Sequence, residues 1–127
     1  MDNQPSIEAA LSVMDAHIEA LNKHDEIALA NTLHFPHIRL SGTRLKIWQT
    51  SESYFTDFKQ RAGDGWSHSA FNDIQIVASA EDKVHLDAEI LRFRSDGSIL
   101  TRFRSLWVVT CEASHWAAKM RSSFANQ

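Results

Sequence analysis

The spacing of hydrophobic positions changes once along the chain. Ile7, Ala10, Leu11, Met14, His17, Ile18 and Leu21 recur at helical intervals and make one apolar stripe. Ser6, just after Pro5, reads as the N-cap, with Glu8 well placed in the first turn. The helix is expected to stop at Asn22-Lys23-His24. Asp25 then caps a shorter helix carrying Ile27, Leu29, Ala30 and Leu33. Pro36 forbids continuation, and His37-Ile38-Arg39-Leu40 reads as a short strand. A third helix starts at Thr50 or Ser51, buries some of Tyr54, Phe55, Phe58 and Ala62, and ends at Gly63.

After Gly63-Asp64-Gly65 the pattern becomes strand-like, with strands expected around 67–79, 83–94, 99–111 and 116–124. Asp96-Gly97 suits a type I′ hairpin turn. With those two as turn residues, Ile90 faces Phe103, Ala88 faces Ser105, Leu86 faces Trp107 and Val84 faces Val109 on one side. The other side pairs Glu89 with Arg104, Asp87 with Leu106 and Leu91 with Arg102. A one-residue slip would destroy both the apolar face and the charge pair. Taking Ala113-Ser114 as the last turn sets Cys111 against Trp116 and Val109 against Ala118. The same count sets Trp107 against Met120, Ser105 against Ser122 and Phe103 against Phe124, with Lys119 and Arg121 outside. Helices followed by a one-sided sheet predict an α+β fold.

Composition narrows the function classes without naming one. A chain of 127 residues is one domain's worth, and 43% hydrophobic with 23% charged residues suffices for a core. Thirteen basic against sixteen acidic residues, a formal charge of −3, give no electrostatic case for nucleic acid or an anionic membrane. Cys111 alone cannot form an internal disulfide or a structural zinc site. No apolar run approaches the ~20 residues of a membrane span. Met1-Asp2-Asn3-Gln4-Pro5 lacks the features of a signal peptide, so a cytoplasmic location is expected.

Three segments carry a family likeness: Ala20-Leu21-Asn22-Lys23-His24-Asp25 between helices, Phe35-Pro36-His37-Ile38-Arg39, and Trp116 through Phe124. On these the chain resembles the NTF2-like superfamily, in its ketosteroid isomerase and SnoaL-like branches. The resemblance implies a cystatin-like cone, three N-terminal helices packed on a curved, mainly antiparallel sheet. It also implies a mostly apolar pocket, a small apolar organic ligand bearing a carbonyl or hydroxyl, no cofactor, and a homodimer. Ketosteroid isomerases use an aspartate base, with a tyrosine and a neutral aspartic acid at the oxyanion. Here the tyrosine position is His17, the aspartic acid position is Ser105, and the base position falls near Arg39 or Ser41. The isomerase triad is absent, so any pocket chemistry differs.

His17 sits on the apolar stripe, either as an acid–base or hydrogen-bonding group or as a buried neutral imidazole. Ser105 and Ser122 share the inner face and either bond each other or orient a ligand. Arg39 binds a carboxylate or oxyanion if it points inward. Trp48 and Trp66 flank the third helix at the expected mouth, with His68 and Asp73 nearby. Tyr54, Phe58, Phe103, Met120 and Phe124 complete the expected wall. Arg92, Arg94, Arg102 and Arg104 read as a solvated or interfacial edge. Pro36 separates His34 from His37, and no third ligand suggests itself, so no metal site is expected. The outer face, with Leu91, Leu100, Leu106 and Val108, reads as the dimer surface.

Overall fold

The computed structural model describes residues 3–125, with the side chains of Lys59, Arg61 and Ala62 outside the description. Its elements are α1 (Gln4–Asn22), α2 (Glu26–Ala30), β1 (Leu33–Ser41), β2 (Arg44–Trp48), α3 (Ser51–Ala62), β3 (His68–Ser79), β4 (Lys83–Phe93), β5 (Ile99–Glu112) and β6 (His115–Ser123). The six strands form one curved sheet in the order β2-β1-β6-β5-β4-β3. All neighbours are antiparallel except β1 and β6.

The α1 stripe packs on the sheet through Ala10, Val13, Met14, His17, Ala20 and Leu21. Burying side chains such as Met14 and Leu21 contributes about 1.5–3 kcal/mol each. The helix begins earlier than the sequence suggested. Asn3 is its N-cap and Pro5 lies in its first turn, where a missing N–H costs nothing. Ser6 lies inside the helix instead, and its Oγ donates to Glu81 O at 2.9 Å. Asn3 Nδ2 donates to Ser79 O at 3.1 Å, so both residues fasten the helix start to the β3–β4 turn. Asp25 caps α2 as expected, accepting from Ala28 N, but α2 is only five residues long. Ile27 is consequently left 85% exposed, and Leu33 opens β1. Thr50 caps α3 through Ser53 N, and Gly63 follows at φ +80.

The β4–β5 register matches the expected pairing from Val84↔Val109 to Leu91↔Arg102. Its turn differs in type. Gly97 N donates to Arg94 O and Arg94 N to Ser98 O, with Gly97 at φ +88. This is a three-residue loop closed by a glycine bulge rather than a two-residue I′ turn. The irregularity is absorbed between Arg92 and Phe93, leaving the faces unchanged.

The β5–β6 hairpin starts as expected, with Ala113 and Ser114 at φ +52 and +65 and pairs Cys111↔Trp116 and Val109↔Ala118. Val108 then pairs with Met120, so Lys119 is an extra residue and the strand has a bulge. Beyond it every side chain changes face. Trp107 pairs with Arg121 and Ser105 with Ser123, correcting the expected Met120 and Ser122. The cause lies on β1. Pro36 has no N–H for the ladder, and the β1–β6 register breaks between Leu33 and Ile38. There the His37 side chain donates from Nδ1 to Ala118 O at 3.1 Å. β2 was not foreseen; Gly42, at φ +58, opens the two-residue loop between Ser41 and Arg44.

Candidate functional site

Between α1, α3 and the inner face of the sheet lies a cleft with about 390 Å³ of space, its open mouth included. The apolar wall comes from Ile18, Leu21, Phe58, Phe71, Ile90 and Phe103. Trp107 lies at the centre, only 1% exposed. Asn22, one turn beyond Ile18, pins the start of β3: its side chain accepts from Ser69 N and donates to Ser69 O, both at 2.8 Å.

His17 lines this cleft and is 2% exposed. Its Nδ1 lies 2.9 Å from Thr32 Oγ1, which donates its one hydrogen to Leu29 O at 2.7 Å. The hydroxyl must therefore accept, and His17 carries its proton on Nδ1. Nε2 is a bare lone pair with no hydrogen-bond partner among the described residues. Burial, helped by the positive charge of Arg121, lowers the His17 pKa from 6.5 to about 3. At neutral pH this imidazole is neutral and buried, and its Nε2 accepts hydrogen bonds and does not donate them.

Three arginines reach the same cleft: Arg39, Arg92 and Arg121, at 4%, 6% and 8% exposure. Arg39 and Arg121 are direct partners on the parallel β1–β6 pair. Arg39 Nη2 lies 3.4 Å from Ser123 Oγ. The Arg121 guanidinium lies over the rings of Trp107 and Tyr54, at 4.8 and 5.2 Å from their centroids. Among the described residues it makes no hydrogen bond and no ion pair, and its Nε is buried. Arg92 stacks between Phe103 and Phe58 at 4.7 and 5.4 Å. Among the described residues, no Asp or Glu lines the cleft.

Three serine hydroxyls complete it. Ser105 Oγ accepts from Trp107 Nε1 at 2.8 Å and Ser69 Oγ from Trp66 Nε1 at 2.9 Å. Ser123 Oγ accepts from Ala125 N at 3.2 Å as well as from Arg39. None donates its hydrogen to another described residue, so the polar capacity left open is mostly donor capacity.

No protein-family model and no curated protein matches this sequence. Solved structures do match. An NTF-2-like protein of unknown function from Shewanella oneidensis superposes with a TM-score of 0.74 at 13% identity. That match covers 94% of this chain and 98% of the other. A cystatin-like protein of unknown function from Nostoc punctiforme gives 0.77 at 9% identity, over 97% and 92%. The fold is NTF2-like. A ketosteroid isomerase-like protein from Erwinia carotovora also matches, with a TM-score of 0.69 at 13% identity over 98% of both chains. At such identities the likeness covers the fold and not the chemistry.

Within this NTF2-like fold His17, Ser105, Arg39, Phe58 and Phe103 line one cleft. Other expected site residues lie elsewhere. Tyr54 is fully buried behind the cleft, beneath Arg121. Trp48 is core, donating from Nε1 to Asp57 Oδ2 at 3.1 Å. Trp66 packs on Phe58 and holds Ser69 without lining the space. His68 stacks flat on Phe93 at 4.9 Å, and Asp73 sits on a β3 bulge beside Arg104. Met120, Ser122 and Phe124 are on the outer face because of the Lys119 bulge, with Phe124 69% exposed. His34 and His37 bond the separate carbonyls of Thr110 and Ala118.

Arg92, Arg121, Ser69 and Ser123 were missed. Arg92 had a signal: it shares the parity of Val84, Leu86, Ala88 and Ile90, so the β4–β5 register already turned it inward. Arg121 and Ser123 had none, since their face depends on the bulge.

Proposed function

We propose that this protein binds a small organic molecule carrying a carbonyl or hydroxyl oxygen, with its apolar part among Phe58, Phe71, Phe103 and Trp107. The observation that carries this reading is the bare Nε2 of a neutral, buried His17 on an apolar cleft whose other polar groups are arginines and serine hydroxyls. A ligand hydroxyl donates to Nε2, and the Ser105 hydroxyl donates to a ligand oxygen. The fit with proton-transfer chemistry is weaker in the empty cleft, because an imidazole held near pKa 3 is a poor general base at neutral pH. Ligand binding therefore comes first, and catalysis second. The test is thermal unfolding against cyclic enones, phenols and aromatic acids, for wild type and His17→Ala. Saturable stabilisation that weakens in the variant supports the reading; no shift from a folded protein removes it.

The expected homodimer has a surface that suits it. On the outer face Ile38, Met120 and Val108 lie side by side, next to Leu40 and Leu106. Leu40, Leu106 and Met120 are each about 40% exposed, and apolar patches of this kind favour association. Light scattering of wild type and Met120→Glu tests it: a dimer made monomeric by the change supports this face.

A further inference from the structure

Resting on the pocket reading above, we infer that the cleft's ligand is an anion, a small organic carboxylate seated between Arg121 and Arg39. A guanidinium withdrawn from water without a negative partner is costly. Arg121 is in that position: it lies against two aromatic faces, which orient it, but no described carboxylate reaches it. The protein has an excess of acidic residues, yet none of the described ones lines this space. The open donors add to the case. The guanidinium of Arg121 and the hydroxyl hydrogens of Ser105 and Ser123 converge from adjacent strands β6 and β5. A carboxylate has two oxygens and four lone-pair directions to meet such a set, and a planar guanidinium matches it in-plane. The ligand's apolar body is directed toward Phe58, Phe103 and Arg92. His17 Nε2, at the side, accepts from a hydroxyl on the same ligand, which makes hydroxy acids better than plain ones.

The experiment is isothermal titration at pH 7 and fixed ionic strength with benzoate, 3-hydroxybenzoate, cyclohexanecarboxylate and the corresponding neutral amides. It uses wild type, Arg121→Gln and, as an outer-face control, Arg104→Gln, with folding checked by circular dichroism. The acids are expected to bind at least tenfold more tightly than their amides. Arg121→Gln should remove that preference, and Arg104→Gln should keep it. Amides binding as well as acids to wild type would overturn the anion assignment and leave the pocket intact. Undiminished acid binding by folded Arg121→Gln would overturn it too. If no member of the panel binds folded wild type, both the assignment and the pocket reading fall. The acid-against-amide contrast in wild type decides the matter even if the Arg121 variant does not fold.

Discussion

Arg102 and Arg104 sit on the outer face of the same sheet that carries Arg39, Arg92 and Arg121 inside. The outer pair is solvated and matched: Arg104 lies 3.0 Å from Asp87 and 3.6 Å from Asp73, and Arg102 lies 3.5 Å from Glu89. Exposed pairs of this kind add little to stability, because water already solvates both charges. The inner three are buried, Arg92 and Arg121 against aromatic rings and Arg39 beside Ser123, and no described acidic side chain lines the cleft. Identical chemistry thus has opposite consequences, set by which face a residue's parity gives it. Of the inner three, Arg121 has no acidic partner among the described residues, and burying it that way costs stability.

The sharpest break in that comparison comes at the centre of the inner face. Trp107→Ala should cost about 3–5 kcal/mol in denaturant unfolding, since the indole supports His17, Arg121 and Ser105 together. Leu106→Ala, one residue away and 44% exposed, should cost under ~1 kcal/mol.

Acid gives the next largest effect. The folded protein holds His17 at about 3, below its ordinary 6.5, so between these values the unfolded chain binds the proton more readily. Stability contributed by the neutral imidazole is full above pH 6.5 and is lost as pH falls toward 3. The slope approaches about 1.4 kcal/mol per pH unit. Urea midpoints measured across this window should fall less steeply for His17→Gln than for wild type.

Arg121→Met should act in the opposite sense. Replacing a buried, unmatched cation by an apolar chain of similar length should raise stability by about 1 kcal/mol or more while abolishing acid binding, a trade of function for stability. A lowered melting temperature in a ligand-free buffer would show that the guanidinium is held by something stronger than its ring contacts. Smallest of all, Arg104→Gln should leave the melting temperature within error.

Much of this architecture was readable beforehand. The α1 stripe, the Asp25 cap, the start of α3 at Thr50 or Ser51, the Gly63 stop and the β4–β5 register are local or nearly so, and each agrees with the structure. His17 and Ser105 came from the same periodicities, and the cleft they line is where the inner face meets α1. What could not be read was β2, the start of α1 and β6 beyond Ala118. Met120, Ser122 and Phe124 are more apolar as a set than Arg121 and Ser123, so pattern alone favours the wrong face.

The sequence by itself determined most of the elements, the faces of β4 and β5 and the Asp25 cap, because these depend on neighbours within a few residues or across a tight turn. The tertiary structure decided the polarity of the cleft. Pro36 and His37 on β1 meet Ala118 and Lys119 on β6 across more than eighty residues of chain, and the bulge formed there moves β6 by one position. With a side-chain period of two, that single step turns Arg121 and Ser123 inward and Met120 outward. A contact between distant strands therefore placed the positive charge at the centre of the candidate site.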